Sequence, residues 1–262
     1  MVRDEARRYP EFMKIALALA TVSLGLASLT FAADPPSGES LIQRSIDREG
    51  GVKSLGDAQN AVMTGTVEVV GRNLAGSFQM YQQGPKAYTV MELPGLGKIE
   101  EGFDGEVAWE SNVLQGPRIK DGEEREAVKR ASRISVLTDW KEFYKSAVTL
   151  GSEEVGGKPA WKVEMTPTSG TAEYFYFDRD SGLISKMTQT LPTAMGNIPV
   201  EMLLSDYRTV DGVQTPFLMT QAAMGQTMAI HIEKVTYRAS IPAGRFDLPA
   251  EVKVLAAKSK VK

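Results

Sequence analysis

The chain has 262 residues, 30 Lys and Arg against 33 Asp and Glu (net −3), one histidine, twelve methionines and no cysteine. The lack of cysteine excludes disulfides and thiolate chemistry, and a single histidine leaves no zinc site of familiar spacing. No basic patch occurs outside the last ten residues, which argues against nucleic acid as a partner.

Lys14 precedes an apolar run from Ile15 to Ala33 that closes on small residues, the order of a secretory leader. The spacing predicts a signal peptide over residues 1–32, cut after Ala32. No cysteine stands at the cut to take a lipid anchor, so the exported protein is expected to be soluble. Residues 1–32 hold four of the 30 basic and three of the 33 acidic side chains, which leaves 26 against 30 beyond the cut. A domain that needs no disulfides must rest on a hydrophobic core.

Residues 33–39 read as a Pro/Gly/Ser linker. A short amphipathic helix follows, capped by Ser40, with Leu41, Ile42, Ser45 and Ile46 on one face and Gly50-Gly51 at its end. From Val62 the period changes from 3.6 to 2. Short alternating runs around Val67, Phe78 and Met80, then Tyr88 to Leu93 and Glu106 to Trp109, are parted by Gly84-Pro85, Pro94-Gly95 and Asp104-Gly105. These are antiparallel hairpins.

Asp121 to Tyr144 breaks the pattern. It is charged at first, then apolar at Ile134, Leu137 and Trp140, and its spacing predicts one or two helices after Gly122. Strands then resume with clear turns: Val155-Gly156-Gly157-Lys158, a glycine-bulged turn at Asp178 to Gly182, and a type I′ turn at Val210-Asp211-Gly212-Val213. The last turn fixes a register, with Leu204 opposite Met219 and Asp206 opposite Phe217, so that Met202, Leu204, Phe217 and Met219 share a face. The domain is expected over residues 40–254, with a flexible basic tail at 255–262.

The chemistry is mostly negative. His231 lies alone in a strand, and no nucleophile elbow, P-loop or dinucleotide fingerprint is present. Asp178, Asp180 and Gly182 imitate a calcium loop, but the glycine falls one position early and Gln189 replaces the closing carboxylate. Glu100-Glu101 and Glu153-Glu154 sit on adjacent strand positions and so point to opposite faces. No catalytic residue, metal or cofactor is assigned. What stands out is methionine, at Met80, Met91, Met165, Met187, Met202, Met219 and Met228 of the expected strands. Methionine is flexible and polarisable, and suits a surface that must fit variable apolar ligands.

The segment Leu150 to Val163, with Tyr176-Phe177-Asp178, Ser181-Gly182-Leu183, Ser205-Asp206-Tyr207-Arg208 and Val210-Asp211-Gly212-Val213, resembles the pattern of lipoprotein-sorting (LolA-like) proteins of the bacterial envelope. Gly102-Phe103-Asp104-Gly105 and Trp109 fit the same order. The resemblance implies an α+β fold: a strongly curved, half-open antiparallel β-barrel, here of about ten strands, with helices plugging its concave side. It implies a periplasmic carrier or binder of lipids or lipidated proteins, with acyl chains as partners, envelope membrane proteins as further ones, and no covalent chemistry. The expected cavity lining is Met80, Trp109, Trp161, Met202, Leu204, Phe217 and Met219, under a lid helix carrying Ile134, Leu137 and Trp140. The alternative is an envelope sensor that binds a protein partner through the same fold.

Overall fold

A computed structural model describes residues 34–193 and 196–259; the leader expected over residues 1–32 lies outside them. The first helix, α1 (Gly38–Glu49), begins three residues earlier than expected. Ser37, not Ser40, is its cap: the Ser37 hydroxyl accepts from the Ser40 amide at 3.2 Å, and the Ser40 hydroxyl donates back to the Ser37 carbonyl at 2.8 Å. Leu41, Ile42, Ser45 and Ile46 are its buried face, as the spacing requires. Gly50 ends it with φ 130°, and a Cβ there would lie 2.3 Å from the Gly212 carbonyl oxygen, so only glycine fits. The chain then turns directly into α2 (Gly51–Asp57), a helix that its own Gly51 and Gly56 conceal from a propensity reading.

Thirteen strands follow, three more than expected: β1 (Asn60–Val69), β2 (Leu74–Gln83), β3 (Lys86–Leu93), β4 (Gly97–Phe103), β5 (Ala108–Asn112), β6 (Gly116–Lys120), β7 (Tyr144–Val155), β8 (Lys158–Pro167), β9 (Glu173–Asp178), β10 (Ile184–Thr193), β11 (Gly196–Val210), β12 (Val213–Ala223) and β13 (Gln226–Tyr237). They form one antiparallel sheet in the order β6-β5-β4-β3-β2-β1-β13-β12-β11-β10-β9-β8-β7. The sheet does not close, and with its helices it makes a curved, half-open barrel. The β11–β12 register holds as expected: Val210 pairs with Val213, Leu204 with Met219, and pairing continues through Pro216 without a shift. Asp206 meets the curvature there with a left-handed φ of 52°.

Because every neighbouring pair is antiparallel, the turns collect at two ends. The β1–β2, β3–β4, β5–β6, β8–β9, β10–β11 and β12–β13 connections share one end; the other five hairpin connections share the opposite end.

Two further helices, α3 (Gly122–Ala131) and α4 (Trp140–Phe143), lie between β6 and β7. Only Trp140 of the three expected lid residues is helical. Ile134 and Leu137 occupy the turns that join α3 to α4, where serine and threonine take backbone carbonyls as partners. The Ser132 hydroxyl donates to Val128 O and that of Thr138 to Ser135 O. Leu137 is nevertheless fully buried, and Ile134 and Trp140 pack on the same core.

The main core joins α1, α2 and the α3–α4 segment (Leu41, Ile42, Leu55, Leu137, Phe143) to one face of the sheet (Val67, Phe78, Val163, Met165, Phe175). That core-facing side is the inner face of the sheet. Residues 255–259, expected in a frayed tail, belong instead to α5 (Ala250–Ser259), which packs beside β6 and buries Val252 completely.

Candidate functional site

Strand registers place every methionine of the described strands on the inner face. Met63 pairs with Met80, Phe78 with Met91, Met187 with Met202 and with Phe175, Met219 with Ile230, and Met228 with Val69. Met165 is fully buried, whereas Met63, Met80, Met91, Met187, Met219 and Met228 pack on the core while remaining partly exposed. Met63, absent from the sequence-based set, completes it; only the β1–β2 register reveals that it faces Met80.

Of the seven residues expected to line the cavity, six share this inner face. Met202, Leu204, Phe217 and Met219 lie together on β11 and β12, Met80 on β2 and Trp161 on β8. Trp161 carries the Arg179 guanidinium 4.5 Å above its ring. Trp109 does not join them. Ala108 pairs with Phe103 toward the inside, so strand alternation turns Trp109 to the outer face. There it lies across Gly102, where a Cβ would stand 2.4 Å from the indole nitrogen, and continues a row with Tyr88 and Tyr81. Arg245 covers that row, 4.5 Å above the Tyr81 ring.

One side of the inner face is ionic. On β4 to β6, Arg118 donates from Nε to Glu110 at 2.6 Å and bidentately to Glu124 of α3 at 2.7 Å and 2.7 Å. Lys120 bridges Glu101 and Glu110. Burial opposes charge on Glu110, but Lys120 and Arg118 outweigh it and hold its carboxyl below the usual range. At the other end of α3, Arg130 donates to Glu173 of β9 at 2.5 Å, and the Tyr144 hydroxyl takes the second Glu173 oxygen at 2.6 Å. Burial, then Glu173, pushes the Tyr144 phenol up. The helix is thus fastened to edge strand β6 at one end and to β9, beyond the opening, at the other.

Glu49, the last residue of α1, is partly buried without a cation. Its carboxylate accepts from Ser45 at 3.2 Å and from Ser135, and burial outweighs these bonds to raise its pKa.

The sheet also holds a concavity of about 570 Å³. Its lining includes Tyr174, Thr188, Glu201, Ala222 and Thr227, one cross-strand row on the outer face, and extends to the β12–β13 turn. None of the seven expected lining residues borders it. His231 is exposed on the outer face, its Nε2 3.6 Å from Glu68. The Asp178 turn satisfies itself: one carboxylate oxygen accepts from the amides of Asp180 and Ser181 and from the Ser181 hydroxyl. Glu100 and Glu101 point to opposite faces, toward Tyr88 and Lys120 respectively. Among the described residues, no three histidine or carboxylate side chains converge as metal ligands, and no helix is long and apolar enough to cross a membrane.

No protein-family model and no curated protein sequence matches the chain. Solved structures do. A DUF1329 family protein from Desulfovibrio piger superposes with a TM-score of 0.55 at 13% identity, covering 81% of this chain and 98% of its own. A LolA superfamily protein from Nitrosomonas europaea gives 0.54 at 11% identity, covering 82% and 99%. The chain therefore shares the fold of these two structures.

Proposed function

We propose that the domain is a non-enzymatic binder and carrier of lipids or lipidated proteins in the periplasm, holding acyl chains between the inner face and its helices. One observation carries this reading: all eight methionines of the described strands face inward, and most of them stay partly exposed while packing on the core. A core that only had to fold would be better specified by branched side chains, whereas thioethers repack around chains of different length. Each methylene withdrawn from water contributes about 0.8 kcal/mol, so half an acyl chain gives substantial affinity. The α3–α4 segment, with Trp140, Leu137 and Ile134 on the core, is the element that moves to admit and release the cargo.

The test is native mass spectrometry of the protein purified from the envelope without denaturant, followed by organic extraction. A mass excess that solvent removes, and that contains acyl chains, is the expected result. A bare polypeptide that also fails to take up a fluorescent fatty acid would overturn the reading.

A further inference from the structure

The two ends of the sheet differ in chemistry. At the end carrying the β1–β2, β3–β4, β5–β6, β8–β9, β10–β11 and β12–β13 connections, the connecting residues hold a single charge, Arg72. At the opposite end the hairpin connections hold Asp104, Glu106, Asp180 and Asp211 against Arg179. The sequence behind the first end is equally bare, with no charged side chain from Met187 to Val200 or from Val213 to Ile230.

That end also presents apolar side chains to water. Of the nine exposed large hydrophobic residues among the described residues, five stand on its turns: Val70, Leu96, Val113, Leu114 and Met224. Leu114 is 87% exposed, and Val113 and Met224 are 66% exposed. The turns adjoin one another. The Val70 amide donates to the Thr227 carbonyl at 2.8 Å, and Val113 packs so closely on Gly97 that a Cβ there would be 2.7 Å away. The outer concavity opens at the same end, between Thr190, Pro199 and the β12–β13 turn.

We propose that this rim seats the protein on the interfacial layer of a lipid bilayer. The occupant follows from the form of the surface. A protein partner would bury a contiguous packed patch. Here the apolar groups are spread over four turns, Val113 and Leu114 sharing one, spaced roughly 10 Å apart, the width of two strands, and are backed by Gly, Thr and Gln. Such side chains enter between headgroups one at a time. Charge permits it: an acidic chain keeps its acidic turns at the far end, while at this end Arg72 and Lys98 are matched by Glu68 and Glu92 at the adjoining strand ends, so no net charge repels an anionic bilayer. The inference does not depend on the cargo reading, because it concerns the turns and not the inner face.

The absence of cysteine supplies the test. In the full chain, Leu96→Cys, Leu114→Cys and, at the opposite end, Asp180→Cys are each labelled with an environment-sensitive thiol dye. They are titrated with phosphatidylethanolamine/phosphatidylglycerol vesicles. All three carry the same N-terminal apolar run, so only contact of the rim separates them. The dyes at 96 and 114 are expected to shift to the blue and to be quenched by nitroxide-labelled lipid, while the dye at 180 does neither. Adding Val113→Asp and Met224→Asp to the labelled Leu114→Cys chain is expected to weaken the titration about tenfold. Rim dyes that stay as in water, or a dye at 180 that responds equally, would overturn the proposal. So would rim dyes that ignore vesicles but respond to a lipid-free envelope protein, which would assign the surface to a protein partner.

Discussion

Glu49 and Glu110 are both carboxylates against the sheet, yet their surroundings push them in opposite directions. Glu110 is held low by Lys120 and Arg118 against its burial, so its contribution to stability is present above the unfolded range, about pH 4, and is lost as pH falls through its folded value. Glu49 is raised by burial, so the folded chain holds the proton longer than the unfolded one, and stability is lost as pH rises through the folded value. Glu49→Gln is therefore expected to raise the melting temperature at alkaline pH and to do little near pH 3, below the ordinary carboxylate range, about where both forms are neutral. Melting curves of the two proteins across pH check this; a difference that is constant with pH would contradict it. Arg130 and Glu173 form a buried pair, each side chain 10% or less exposed. Arg130→Ala leaves Glu173 with only Tyr144 and is expected to cost about 3–5 kcal/mol in denaturant unfolding. Arg130→Met with Glu173→Leu is expected to recover most of that loss.

Elements show how much of the molecule was legible in the sequence. The β11–β12 hairpin was readable to the residue, because a two-residue type I′ turn with Asp211 at φ 48° and Gly212 at φ 85° leaves one register open. Strands β4 to β6 were poorly readable for a physical reason. Their inner positions carry Glu101, Glu110, Arg118 and Lys120, so the polar residues that ordinarily mark the solvent side lie inside, neutralising one another. The same inversion misplaced Trp109, whose direction depends on the pairing of Ala108 with Phe103. Between α3 and α4 the apolar spacing at 134, 137 and 140 was helical, but the Ser132 and Thr138 hydroxyls gave backbone carbonyls other partners. Leu137 is buried all the same, and Leu137→Ala is expected to cost about 2–5 kcal/mol in chemical unfolding, since the turn it anchors cannot collapse onto the space.

At the scale of the whole sheet, the surplus of methionine was visible in the composition, but that it forms one wall emerges only when ten or more strands are aligned. This is where the cargo reading is most exposed to test. Met187→Asp together with Met219→Asp puts charge on that wall at partly exposed positions. Uptake of a fluorescent fatty acid is expected to fall about tenfold or more. Leu114→Asp, on the rim, is expected to leave uptake of the same dispersed probe unchanged.

The fastening of α3 carries a last consequence. The helix has ten residues, roughly 15 Å of length, and its ends are tied by ion pairs to strands on either side of the sheet's opening. It therefore acts as a gauge of the distance between those strands. Anything that swells the space beneath it must lift the helix or part its ties, and both cannot stay unchanged. On the cargo reading proposed above, capacity and closure are then a single variable, and the width of the mouth reports how full the protein is.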